Sequence, residues 1–219
     1  MDPVNKKVNV SESIGEVSTR LTKGSRVDFM MVLAHGAGAG MDHLFMEQLA
    51  TALAESDIAT LRFNFPFAEN KKGRPDFPAV AEKTISMAIE YAKTLYPGIP
   101  LVAAGKSFGG RMSSQLLSKS NTHLVQALVF YGFPLHPPGN PGTSRADHLA
   151  EVKIPMLFLQ GTKDSLADLE LIKNVCNALT LATLETIEGA DHAFKAGKRE
   201  IVPALASATL RWLKEVCSA

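Results

Sequence analysis

The chain has 219 residues, 46% of them hydrophobic and 21% charged, with Lys+Arg 23 against Asp+Glu 22. That length allows one large domain or two small ones, and it buries roughly 70% of its unfolded surface in a core that needs no staples. The composition excludes disorder, collagen and coiled coil, and the balanced charge gives no electrostatic case for a nucleic-acid partner.

Met1–Val10 (MDPVNKKVNV) carries no apolar core of signal-peptide length, and no apolar run approaches the roughly 18 residues of a membrane span. Cys176 and Cys217 lie in helix-like stretches without CxxC spacing, so neither a disulfide framework nor a metal site is expected. The expectation is a cytoplasmic protein with reduced thiols that does not engage membranes.

In chain order, the residues before Lys23-Gly24 read as one or two antiparallel strands. Val27–Ala34 (VDFMMVLA) is a strand-type run, followed by Thr60–Phe65, Leu101–Ala104, Ala127–Tyr131 and Met156–Leu159. Thr183–Ile187 alternates as a last strand. The middle runs are almost continuously apolar, as in strands covered on both faces. Helical patterns fill the gaps: Leu44, Leu49 and Leu53; then Ala81, Ile85, Ala88, Ala92 and Leu95 after Pro78; then Phe108, Met112 and Leu116. Leu169–Leu179 and the stripe Ile201, Leu205, Ala208, Trp212 and Val216 complete the series. Alternating strands and helices predict an α/β fold, a mostly parallel central sheet with helices on both faces. No composition break divides the chain, so residues 1–219 are read as one domain. The Pro/Gly-rich Phe133–Arg145 is read as a loop over a strand end.

The most informative segment is Leu101–Gly110 (LVAAGKSFGG), in which a strand run meets G-x-S-x-G and then a helix. This context makes a nucleophile elbow, a strained turn that lifts the hydroxyl of Ser107 above the sheet. Gly105 and Gly109 fit because strand and helix approach too closely there for side chains. A phosphate-binding loop ending at Gly105-Lys106-Ser107 would need glycine at position 100, which is Pro100. A dinucleotide fingerprint in His35–Gly40 (HGAGAG) fails on spacing at Met41 or His43. That loop is better read as a source of oxyanion donors, with the backbone N–H of Ala37 and of Phe108 the predicted pair and Gly38 the substitute for Ala37. Asp42 is the expected N-cap of the helix that follows.

A serine hydroxyl needs a base. His192, in Glu188–Phe194 (EGADHAF), and Asp164, in Gln160–Asp164 (QGTKD), each follow a strand run. Ser107, Asp164 and His192 therefore appear in the order Ser, Asp, His, in loops that share one edge of a parallel sheet. Asp168 is the alternative acid, or else a helix N-terminal residue. His136 and Phe133 in the Pro-rich loop are candidate substrate contacts beside Gly38, with Phe65, Phe67 and Phe108 as further apolar wall. His35 and His43 read as structural, His123 and His148 as surface residues. Arg111 would bind an acidic group or form a structural ion pair.

Taken together, HGAGAG at His35–Gly40, GKSFG at Gly105–Gly109, GTKD at Gly161–Asp164 and GADH at Gly189–His192 resemble the α/β-hydrolase superfamily. More narrowly the chain looks like the dienelactone-hydrolase-like group. Within that group, RFNFPF at Arg62–Phe67 and YGFPLHPP at Tyr131–Pro138 are similar to a testis-expressed hydrolase-like protein and a chromatin-complex (NSL) subunit. The resemblance implies a serine esterase acting without cofactor or metal on a small ester or thioester, the alternative being a catalytically silent scaffold on the same fold. Only Phe133–Lys153 separates the strand ending at Tyr131 from the next, too little for a cap domain. Oligomeric state has no signature in the sequence.

Overall fold

In the computed structural model, which describes residues 4–120 and 123–217, the short apolar runs line up as one eight-stranded sheet. Met1–Pro3 of the leading segment, Asn121, Thr122, Ser218 and Ala219 lie outside the described residues. The leading segment forms β1 (Val4–Ser11) and β2 (Gly15–Thr22), an antiparallel pair. The remaining strands are β3 (Phe29–Ala34), β4 (Ile58–Phe63), β5 (Leu101–Lys106), β6 (Val125–Tyr131), β7 (Met156–Gly161) and β8 (Ala182–Ile187). Their order across the sheet is β1-β2-β4-β3-β5-β6-β7-β8, and all pairs from β4 to β8 are parallel.

The helices are α1 (Leu44–Glu55), α2 (Pro66–Glu69), α3 (Pro78–Leu95), α4 (Phe108–Lys119), α5 (Leu169–Asn177) and α6 (Val202–Val216). Strand β3 shows how they cover the sheet. Met30, Val32 and Ala34 point into a core shared with α3, α4 and α5, while Phe29, Met31 and Leu33 point into one shared with α1 and α6. Side chains alternate across a strand, so a strand buried on both faces must be apolar at every position, and all six residues of β3 are buried. Helices on both faces of a mostly parallel sheet are the architecture expected.

Three local expectations are corrected. The N-cap of α1 is His43, whose Nδ1 accepts from Phe45 N at 3.3 Å, and not Asp42, whose carboxylate is drawn to Arg20 at 3.2 Å. Leu44, read as part of the apolar stripe of α1, is 64% exposed, and the buried face is Met46, Leu49, Ala50, Leu53 and Ala54. His148 is half-buried rather than on the surface, its Nε2 2.7 Å from Ser114 Oγ.

The topology sets where a site can form. The chain runs from β3 outward to β4, then returns past β3 to β5. At such a reversal the loops leaving the two central strands diverge to opposite faces and open a crevice at their carboxyl ends. The residues there are Ala34 and Gly105, which are register partners. Phe133–Lys153 contains only a 3-10 helix, Ser144–Glu151, which packs on α4. No helix among the described residues is long and apolar enough to cross a membrane.

Leu49 is fully buried between α1 and the sheet. Leu49→Ala should lower unfolding stability by about 3 kcal/mol, from lost transfer energy plus the cavity left behind. Urea titration checks this: the midpoint falls and the slope is unchanged.

Candidate active site

The turn from β5 into α4 is forced by contact between backbones. A Cβ on Gly109 would stand 2.6 Å from the carbonyl oxygens of Ala34 and His35, and one on Gly105 would collide with the backbone of Gly110. With both side chains absent, α4 begins directly after β5. Ser107 is left at φ 51°, ψ −114°, a conformation that costs a non-glycine residue on the order of 1–3 kcal/mol. The hydroxyl projects away from the sheet.

Two further loops reach this point. His192 follows β8, and its Nε2 lies 2.8 Å from Ser107 Oγ. Asp164 follows β7, and its Oδ2 lies 2.7 Å from His192 Nδ1. The carboxylate also accepts from Gln160 Nε2 at 2.6 Å and Leu166 N at 2.7 Å. A buried carboxylate already accepting from two N–H donors is held as an acceptor toward the imidazole as well. Nδ1 therefore carries the proton, and Nε2 is free to accept from the serine hydroxyl. The two loops are stitched together by Lys163 N to Ala190 O at 2.9 Å and Gly189 N to Thr162 Oγ1 at 2.8 Å. Asp191 shapes the histidine loop, its Oδ1 accepting from Ala193 N and Lys195 N at 2.9 Å each. Gly132, at φ +73°, ends β6 beside the triad; a Cβ there would sit 3.6 Å from both Asp164 Oδ2 and His192 Cε1.

Lys106 contributes more than the sequence suggested. Its Nζ donates to the carbonyl of His192 at 2.6 Å and lies 5.4 Å from the centroid of the Phe194 ring. Burial pushes this ammonium down to about 8, against the opposing pull of Asp164 and Asp191. The residue next to the serine thus holds the loop that carries the imidazole. A lysine inside G-x-S-x-G was the available signal, but its partner is a backbone carbonyl far away in the chain, which no motif records.

The glycine loop passes over Ser107; a Cβ on Gly36 would be 3.7 Å from that of Ser107. His35 fixes the loop from below. It is fully buried, its Nε2 accepts from Phe65 N at 3.0 Å, and its Nδ1 lies 2.8 Å from Gly36 O. A backbone N–H can only donate, so Nε2 is bare and Nδ1–H donates to Gly36 O. The peptide joining Gly36 to Ala37 is planar and trans, so fixing its carbonyl also fixes the opposite direction for the N–H of Ala37. Among the described residues, neither that N–H nor the N–H of Phe108, first in α4, has a hydrogen-bond partner. Burial against Phe65 and Phe67 holds the His35 imidazole down at about 4.

Over Ser107 lies an open cavity of about 380 Å³ lined by Ala37, Gly38, His43, Phe45, Met46, Lys106, Leu166, His192 and Ala193, among others. Gly38 borders it. Two proposed substrate contacts do not. Phe133 is fully buried behind the strands, packed on Phe130 and Phe158, with its N–H on Gln160 Oε1. His136 is 5% exposed, its Nδ1 at Pro137 O and its Nε2 accepting from Asp168 N, both 2.8 Å. Both ring nitrogens are spent on backbone. Phe65 and Phe108 also lie in the core and do not line the cavity, whose apolar wall comes from Phe45, Met46 and Leu166. Phe45 belongs to α1 and stacks on Phe194 at 5.7 Å, a pairing of segments distant in sequence. Asp168 caps α5, its Oδ1 accepting from Glu170 N and Leu171 N. Arg111 lies beside Arg145 and pairs with no acid among the described residues.

A family model described as an alpha/beta hydrolase domain matches residues 27–209. Among solved structures, the chain is similar to an α/β serine hydrolase without lid from Xanthomonas campestris, at 18% identity and a TM-score of 0.77 over 98% of this chain and 95% of that one. It is also similar to dienelactone hydrolase from Anabaena variabilis, at 20% identity and a TM-score of 0.76 over 99% of each chain. Est1E from Butyrivibrio proteoclasticus superposes with a TM-score of 0.76 at 15% identity, over 98% of this chain and 99% of that one. At these identities the likeness is one of fold.

The buried, neutral His35 makes stability depend on pH. Its pKa is lowered on folding, so between about pH 6.5 and 4 the unfolded chain takes up a proton that the folded one refuses. Stability should fall by about 3 kcal/mol as pH drops through that window, on top of what the carboxylates contribute. Comparing urea unfolding of the wild type and His35→Gln from pH 7 to 4 isolates it. The variant is less stable at pH 7 but should lose less on acidification, by about one proton bound on unfolding.

Proposed function

The chain belongs to the alpha/beta hydrolase domain family, and we propose that it is a serine hydrolase that cleaves a carboxylic ester or thioester through an acyl-enzyme on Ser107. The observation that carries this reading is the unbroken hydrogen-bond chain from Ser107 Oγ through His192 to Asp164, opening into a cavity. In the reaction, Ser107 Oγ attacks the carbonyl carbon as His192 Nε2 takes its proton. Asp164 holds the imidazole tautomer and stabilises the imidazolium. The N–H groups of Ala37 and Phe108 receive the developing oxyanion; one such donor is typically worth about 3–4 kcal/mol of barrier. The tetrahedral intermediate collapses, the bond to the leaving alcohol or thiol breaks, and His192 returns the proton to the departing group. Water, deprotonated by His192, then attacks the acyl-enzyme, and the proton goes back to Ser107 Oγ as the acid leaves.

Lys106 is a positioning residue in this scheme, because its Nζ is committed to the carbonyl of His192 and acts through that loop. Strained Ser107 and the stitched Asp164 and His192 loops support the same reading, since catalytic groups must be held before substrate arrives. The narrower likeness of Arg62–Phe67 and Tyr131–Pro138 to the testis-expressed and NSL-subunit group belongs to this proposal too. Members that act as scaffolds would lack turnover.

A fluorophosphonate probe should label the wild type and leave Ser107→Ala and His192→Ala unlabelled. No labelling of folded wild type would overturn the hydrolase reading. With a 4-nitrophenyl ester, Asp164→Asn should lower kcat by about 10³–10⁴-fold, through loss of the correct tautomer.

Lys106→Met should lower kcat by roughly ten- to a hundredfold with KM little changed, as expected when a catalytic group is misplaced. Lys106→Arg, which keeps the charge, should recover part of the loss. Equal losses in both variants would assign Lys106 to folding alone, and thermal unfolding of each separates the cases.

A further inference from the structure

The cleft over Ser107 has a second half that the reaction above does not use. Across the glycine loop lies another open hollow, of about 410 Å³. The two hollows share Ala37, Gly38, Ala39 and His43 as lining, so they adjoin along the glycine loop, and a molecule bound at Ser107 reaches the second by lying over that loop. The chemistry of the second half is different. Where the first is walled by Phe45, Met46 and Leu166, the second is bordered by Lys71 and Lys72, both exposed.

The acidic groups near it are already engaged by other donors. Neither lysine has an acidic partner among the described residues. Glu69, on the preceding turn, accepts from Ser18 Oγ at 2.7 Å and from Asn64 Nδ2 at 3.0 Å, and Asp76 accepts from Phe67 N at 2.9 Å. Asp42, the acidic residue of the lining, is held by Arg20 at 3.2 Å, and the same guanidinium reaches Glu47 at 3.7 Å. Exposed Arg74 follows two residues on. The lysines leave a fixed base: Lys71 N donates to Ala68 O at 3.2 Å and Lys72 N to Phe67 O at 2.7 Å. The α1 N-terminus, capped by His43, opens at the junction of the two halves and adds its partial positive charge. The chain as a whole is only +1, so two adjacent lysines without an acidic partner among the described residues are not the shadow of a basic protein.

The geometry points to an anion-binding arm of the active-site cleft, in which Lys71 and Lys72 take a phosphate or carboxylate group carried by the ester or thioester cleaved at Ser107. This rests on the hydrolase reading and narrows its substrate class from any small ester to one with an anionic arm. Lysine ammonium groups act as point charges toward either anion.

Three probes test it with the full chain: neutral 4-nitrophenyl butyrate, 4-nitrophenyl hemiglutarate with its carboxylate on the acyl arm, and acetyl-coenzyme A with its phosphates on the leaving arm. For at least one anionic probe, the ratio of its kcat/KM to that of the butyrate should fall tenfold or more in Lys71→Glu/Lys72→Glu. It should also fall with rising salt in the wild type, as screened charge pairs require. The probe that responds assigns the anion to the acyl or the leaving side. Ratios unchanged for both anionic probes overturn the proposal. Binding of inorganic pyrophosphate to Ser107→Ala by calorimetry separates the two readings. If no ester is turned over, saturable pyrophosphate binding that is lost with the double substitution upholds the anion arm while the hydrolase reading falls. Absent or undiminished binding then overturns the arm as well.

Discussion

The site depends on one place where backbone meets backbone without side chains between them. At the end of β5 the chain turns so sharply into α4 that Gly109 lies against the carbonyls of Ala34 and His35 at the end of β3. This contact does three things at once. It holds Ser107 in a backbone conformation it would not adopt alone. It sets the first turn of α4, with its unsatisfied N–H groups, beside the hydroxyl. It also fixes the distance between the two central strand ends, so that the glycine loop leaving β3 passes directly over the serine. The reversal of strand order between β3 and β5 supplies the crevice, and the glycine contact supplies its precision.

Around that contact, positions are fixed largely by hydrogen bonds to backbone rather than between side chains. His35 clamps Gly36 O and Phe65 N, and His136 clamps Pro137 O and Asp168 N, in the same arrangement of Nδ1 donating to the next residue and Nε2 accepting from a distant strand-end loop. Lys106 clamps the carbonyl of His192. Each joins two loops that belong to different βα units. In a fold whose elements are rigid and whose loops carry the chemistry, such ties are what turn separate loops into one surface.

The parts of this arrangement that were legible in the sequence are those with a local cause. The strand runs, the helix stripes of α3 and α6 and the β5–α4 turn follow from periodicity and glycine placement within a few residues. Ser107, Asp164 and His192 could be brought together on paper because parallel strands deliver their following loops to one edge. What was not legible depends on contacts between distant segments. His136 and Phe133 sit in a polar, Pro-rich loop and read as exposed, yet Phe133 is drawn into the core by Phe130 and Phe158, and the His136 ring is consumed by two backbone groups. Phe45 and Met46 were absent from the expected wall because Leu44 was counted with Leu49 and Leu53; those two are buried, but Leu44, five residues earlier, lies on another face and is exposed, and the two residues after it line the cavity.

The short segment Phe133–Lys153 is itself secured, by His148 on Ser114 and by Arg145 Nη1 on Pro134 O. Among the described residues no element closes over the cavity at Ser107, so a small molecule reaches the serine without a conformational gate. The same openness leaves the reacting groups in contact with bulk solvent. Water reaches Ser107 freely, and the same solvent screens every charge that faces it. An enzyme built this way cannot draw its rate from exclusion of water, and must draw it from how firmly its loops are tied before the substrate arrives.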